Sequence, residues 1–134
     1  MSNLKINNAT VKVLTFISLI LLSTMSFSMP AAPIKVAFVF VGPADYVGWS
    51  YSHNQGRRYL EQKFGDQVET EFVEFVPEGR TSRKVLQELA DNNDIVFATS
   101  LGYMVSTESI ARSNPRVMFE HATGSRQSKN LTNY

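Results

Sequence analysis

The 134-residue sequence contains no cysteine. That excludes disulfides, thiolate metal sites and a cysteine nucleophile, together with a lipid-anchored N-terminus, which needs a cysteine at its cleavage point. Net charge is also scarce. The formal value is +1, and with Lys5 and Lys12 set aside eleven basic residues face twelve acidic ones. No basic footprint for a nucleic acid is present. Catalytic signatures are missing too. Ser100 lies in TSLGY, without the flanking glycines of a hydrolase nucleophile elbow. The two histidines, His53 and His121, are far apart and have no HxxxH-type spacing, so they do not form a zinc motif. There is no GxGxxG and no Walker lysine to cradle phosphates. The expectation is a protein that is not an enzyme, with no catalytic residue, no metal and no cofactor.

What is present is the composition of a globular domain, 43% apolar and 19% charged. The length allows one domain at most. Residues 1–28 stand apart. Lys5 and Lys12 form a basic start, Val13 to Leu22 an apolar run of ten residues, and Ser26-Phe27-Ser28 a small-residue cleavage site. This is the pattern of a secretory signal peptide, and the run is too short to span a bilayer. Residues 29–33 (MPAAP) read as an extended leader, because proline disfavours helix there. Cleavage without an anchoring cysteine implies an exported periplasmic or cell-envelope protein.

From residue 34 onward apolar runs alternate with helical patterns. IKVAFVFV (34–41) is nearly continuous and β-branched, the mark of a strand buried on both faces. A helix is predicted from Ser50 as N-cap to a stop at Gly65-Asp66, with Tyr51, Gln55, Tyr59 and Phe64, together with Leu60, recurring at three-to-four spacing. A strand follows over 68–76. A helix over 81–92 carries Val85, Leu86, Leu89 and Ala90, and a strand follows over 94–99. A weaker helix over 103–113 carries Met104, Thr107, Ile110 and Ala111, and a strand runs over 116–120. The tail, 125–134, is polar and without periodicity. The order β-α-β-α-β-α-β predicts an α/β fold with a parallel sheet and right-handed crossovers.

In such a sheet the carboxyl ends of the strands open on one edge, where ligands bind. Loops 42–49, 99–103 and 121–124 should meet there, bringing Asp45, Tyr46, Trp49, Ser100, Tyr103, His121 and Thr123 together. Trp49 is the only tryptophan of the chain. By position alone it is either a packing anchor before a helix or a ligand face on a rigid scaffold. Trp49, Tyr46 and Tyr103 offer flat faces, and Asp45, Ser100, His121 and Thr123 offer hydrogen bonds. That combination suits a small planar or sugar-like solute. The bland alternative, exposed tyrosines and a histidine that only orders its loop, stands beside it.

Taken in order, VGP, GW-x-Y-x-H, VETEFVEFVPEG, ATS-x-GYM and FEHATG resemble the N-terminal lobe of the basic-membrane-protein, or PnrA-like, family, over residues 34–134. These are substrate-binding proteins of ABC importers, and the resemblance is closest to the branch associated with free purine bases. It implies a type I periplasmic-binding fold, in which two α/β lobes close on a small-molecule solute and dock on membrane permease subunits. Carried over by motif, Trp49 is the stacking residue. Asp45 and Tyr46, and Ser100, Gly102 and Tyr103, would line the same cleft, with His121 ordering its wall. A ligand-sensing periplasmic module is the alternative role.

The chain departs from the family pattern in several places. Tyr46 stands where the family carries an aspartate three residues before the tryptophan, and the acid here is Asp45. Asn54 and Val105 stand where the family has further aspartates. The family's second lobe has no counterpart within these residues. The expectation is therefore a truncated or fragmentary form of a complete binding protein, or a non-functional remnant.

Overall fold

The computed structural model describes residues 31–134. The predicted signal peptide and the first residues of the leader lie outside the described residues. Five strands form one parallel sheet: β1 (Ile34–Val39), β2 (Val68–Val73), β3 (Ile95–Ala98), β4 (Met118–His121) and β5 (Leu131–Asn133), in spatial order β2-β1-β3-β4-β5. Helix α1 (Trp49–Phe64) joins β1 to β2, α2 (Arg80–Ala90) joins β2 to β3, and α3 (Met104–Ser113) joins β3 to β4. The α/β prediction holds.

β1 is central because its alternate side chains feed two cores. Val36, Phe38 and Phe40 pack with Leu60 of α1 and with Ile95 and Phe97 of β3. Ala37 and Val39 pack on the other face with Leu86 and Leu89 of α2 and Ile110 and Ala111 of α3. The register pairs Phe38 with Phe97, whose rings stack at 4.6 Å. The chain winds outward from β1 first one way, to β2, and then the other, through β3 and β4. Crossovers of one hand then require α1 on one face and α2 and α3 on the opposite face, as observed.

Three local expectations need correction. First, Ser50 does not cap α1. The helix starts two residues earlier than that cap implies, at Trp49 after Gly48 at φ 127°, a left-handed-side conformation open to glycine, and no side chain caps it. Ser50 Oγ instead accepts the Gly42 N–H at 3.1 Å.

Second, α1 does not bury its aromatic stripe. Tyr59 and Phe64 are exposed, whereas Ser50, Asn54 and Arg57 are buried. The inward polar face is stable because it is satisfied. Asn54 donates to the Ala44 carbonyl at 3.1 Å and accepts from Arg57 Nε at 2.8 Å. Arg57 also reaches Thr70 and Glu61, both at 2.7 Å, and lies over the Phe72 ring.

Third, the tail is not irregular. Asn130 is buried, and its amide reaches the carbonyls of Ala111, Asn114 and Val117 at 2.8–3.0 Å. It satisfies the carboxyl end of α3 and seats Leu131, 1% exposed, in the core, so that β5 pairs with β4.

Candidate functional site at the carboxyl edge of the sheet

The strand order reverses between β1 and β3, and their carboxyl ends diverge into different loops at that point. Thr99 laces the two ends together: its amide and hydroxyl both donate to the Val39 carbonyl, at 3.2 and 2.6 Å. Trp49 lies across this seam. Its indole N–H donates to the Thr99 carbonyl, and its ring meets the edge of His53 at 4.7 Å. The indole is held by its edge while the residue stays 49% exposed, so Trp49 is both anchored and available.

The loop before it is pinned at one buried residue. Ala44 donates its N–H to Glu74 at 2.8 Å and accepts from Asn54. Pinning Ala44 leaves Tyr46 and Val47 on the surface. Asp45 is also exposed, but its carboxylate is engaged by Arg58 at 2.6 Å.

Beyond β3, Ser100 is buried, and its hydroxyl donates to Glu78 at 2.6 Å. Its carbonyl accepts a hydrogen bond from His121 Nε2 at 2.7 Å, because a carbonyl oxygen can only accept. His121 is 1% exposed, so it orders the wall from within. Tyr103 does not offer a flat face at the edge. It is fully buried, and its hydroxyl donates to the Val76 carbonyl at 2.6 Å. Burial, and then the Glu78 carboxylate, push its ionisation well above the usual phenol range. Thr123 turns its hydroxyl back to the Ala122 carbonyl at 2.6 Å.

Two residues join the edge that sequence reasoning did not place there. Glu78, from the β2–α2 loop, reaches Ser100, and its only sequence signal was its position between a strand and Gly79. Tyr134 packs its ring on Phe97 and His53, with its hydroxyl 3.3 Å from His53 Nδ1. Burial lowers the His53 pKa. Local desolvation of its hydroxyl, and then Glu120, raise that of Tyr134 to about 12, although the residue as a whole is exposed.

Val41, Tyr46, Val47, Trp49, Phe75, Leu101 and Tyr134 are all exposed, and all follow the carboxyl ends of strands. A concentration of exposed apolar groups on one edge marks an interaction surface. A hollow of about 210 Å³ at the opposite edge is lined by Lys35, Glu69, Thr70, Glu71, Asn92 and Asn93, with no apolar residue among them. Among the described residues no group of three or more His, Asp or Glu is arranged to hold a metal, and no helix is long and apolar enough to cross a membrane.

The fold is that of a lobe of an ABC-transporter solute-binding protein. The chain superposes on the solute-binding protein of an ABC transporter system from Conexibacter woesei with a TM-score of 0.67 and 15% identity, covering 75% of this chain and 34% of that one. Residues 34–134 match the Bmp family model, described as ABC transporter substrate-binding protein PnrA-like, and the chain belongs to that family of non-catalytic, substrate-binding proteins. It is 41% identical over 102 residues to a purine-binding protein of Brucella abortus (strain 2308), covering 75% of this chain and 29% of the relative. It is 32% identical over 101 residues to a Haloferax volcanii protein named for glucose binding in ABC transport, covering 75% of this chain and 26% of the relative. The chain thus spans less than a third of the length of either relative.

Proposed function

We propose that residues 34–134 are the N-terminal lobe of an exported substrate-binding component of an ABC importer, and that the carboxyl edge of the sheet is one wall of a cleft for a purine base or nucleoside. The observation that carries this is Trp49, anchored by its indole N–H at the β1/β3 switch point with half its surface open, amid an edge of exposed apolar groups. A flat aromatic held in that way can stack a planar base. The purine-binding name of the more similar of the two relatives supports the choice of solute. On this reading residues 1–28 are a cleaved signal peptide, 29–33 a leader, and the partners are a small solute and membrane permease subunits. Ser100 and His121 shape the cleft from behind its surface.

A second reading, a sugar stacked on the same indole, is favoured by the name of the Haloferax relative. Calorimetric titration of the full-length protein with adenine, hypoxanthine, guanine, inosine and glucose tests both. Binding of a base or nucleoside is the expected result. Binding of glucose alone replaces the solute assignment, and binding of none removes it. A growth defect on a purine source after deletion, without a signalling phenotype, separates import from a sensing role.

A further inference from the structure

We infer that Glu78 is the hydrogen-bond acceptor that reads an N–H group of the solute, an assignment that rests on the purine reading above. Three carboxylates, Asp45, Glu74 and Glu78, follow the carboxyl ends of β1 and β2 on this edge, and Glu74 is engaged in accepting the Ala44 N–H at 2.8 Å. Asp45 is occupied by Arg58 at 2.6 Å. Glu78 pairs with no lysine or arginine among the described residues.

An exposed glutamate ordinarily swings in water, whereas this one is seated. Its Oε1 accepts the Ser100 hydroxyl at 2.6 Å. Its carboxyl group lies over Gly102 so closely that a Cβ there would fall 2.0 Å from Cδ and 2.2 Å from each oxygen. Glycine at 102 therefore makes the seat possible, and Ser100 orients the group as a positioning residue.

The arrangement places two complementary devices on consecutive residues at the end of β3. The Thr99 carbonyl holds the indole of Trp49, and the Ser100 hydroxyl holds the carboxylate of Glu78. One device supplies a flat face, the other an oriented acceptor whose Oε2 has no hydrogen-bond partner among the described residues. An ionised carboxylate only accepts, so it selects a solute that presents a donor, such as a ring N–H or an exocyclic amine.

The test uses the full-length protein, with adenine, hypoxanthine and guanine as probes. Affinity is read by calorimetry and the ligand-free melting temperature by calorimetric scanning. Glu78→Gln keeps the shape and the contact with Ser100 but turns an amide N–H₂ toward the donor. The expected result is a loss of about tenfold or more for the base that the wild type binds best, with the ligand-free melting temperature unchanged within about 2 °C. Gly102→Ala keeps the charge and displaces the carboxylate, and a loss of similar size is expected. Affinity of Glu78→Gln within about threefold of wild type overturns the assignment. So does a loss matched by a fall in the ligand-free melting temperature, which identifies a structural role. If the wild type binds none of the three bases, the purine reading itself fails. A wild type that binds while Glu78→Gln is unaffected sinks the Glu78 assignment alone.

Discussion

Trp49 has two roles in this structure, and a pair of substitutions separates them. Its indole N–H donates to the Thr99 carbonyl, and about half of its surface is open. Trp49→Phe removes the donor and keeps an aromatic face. Trp49→Ala removes both. Loss of the hydrogen bond costs about 0.5–1.5 kcal/mol of stability, and the half-exposed ring adds little burial beyond that. Stacking of a base on one aromatic is worth about 1–3 kcal/mol, roughly five- to 150-fold in affinity. Calorimetry on the full-length protein should therefore show Trp49→Ala weakened by about tenfold or more, and Trp49→Phe within about fivefold of wild type. Both variants should lose similar, modest stability in urea. Equal affinities of Trp49→Ala and wild type would refute stacking outright. Equal, large losses in both variants would mean that the Thr99 contact, and not the face, is what the solute needs.

Asn130→Ala strips the amide from three carbonyls in the region where α3 ends and β4 begins, so the midpoint of urea unfolding should fall by an amount equivalent to about 1–3 kcal/mol. Gly124→Ala should cost about 1–3 kcal/mol or more, because the new methyl would sit 1.9 Å from Nδ1 of the buried His121 ring. Gly102→Ala, whose nearest neighbours are the terminal atoms of the exposed Glu78 side chain, should displace that carboxylate and leave urea stability nearly unchanged. Equal effects of the two glycine substitutions would show that the packing around His121 is loose enough to admit a methyl group.

His53 has its pKa lowered below 6.5 by burial, so folding favours its neutral form. The unfolded chain then binds more protons once pH falls through the unfolded value, and stability should decline below pH 6.5 until the folded pKa is passed. Unfolding midpoints measured from about pH 7.5 to about 5 should show a slope that His53→Gln removes. The intact mass of the exported protein should begin at Met29, and a mass retaining Lys5 and Lys12 would remove the signal-peptide reading.

Much of the architecture was legible because its causes are local. The buried run 34–41 announces a central strand, and Val85, Leu86, Leu89 and Ala90 repeat at helical spacing and do face the sheet. The alternation of strands and helices left few topologies other than a parallel sheet. Trp49 was placed at the carboxyl edge by its position after the first strand alone. The ordered motifs from VGP to FEHATG pointed to the family that the comparison then matched over residues 34–134.

Other features depended on partners distant in the chain. The inward face of α1 is polar because Ala44 and Thr70 happen to meet Asn54 and Arg57, and no pattern within the helix could announce it. The tail became a fifth strand because Asn130 found three carbonyls 13–19 residues away. Tyr103, which follows a strand as a ligand-contacting residue would, is buried against Val76 instead. Glu78 gained its place from Ser100 and Gly102, more than twenty residues on. Hydrophobic periodicity records which way a side chain faces within its own element. Whether a polar group can be buried, or an acid oriented, depends on what the neighbouring element offers, and only the folded chain supplies that.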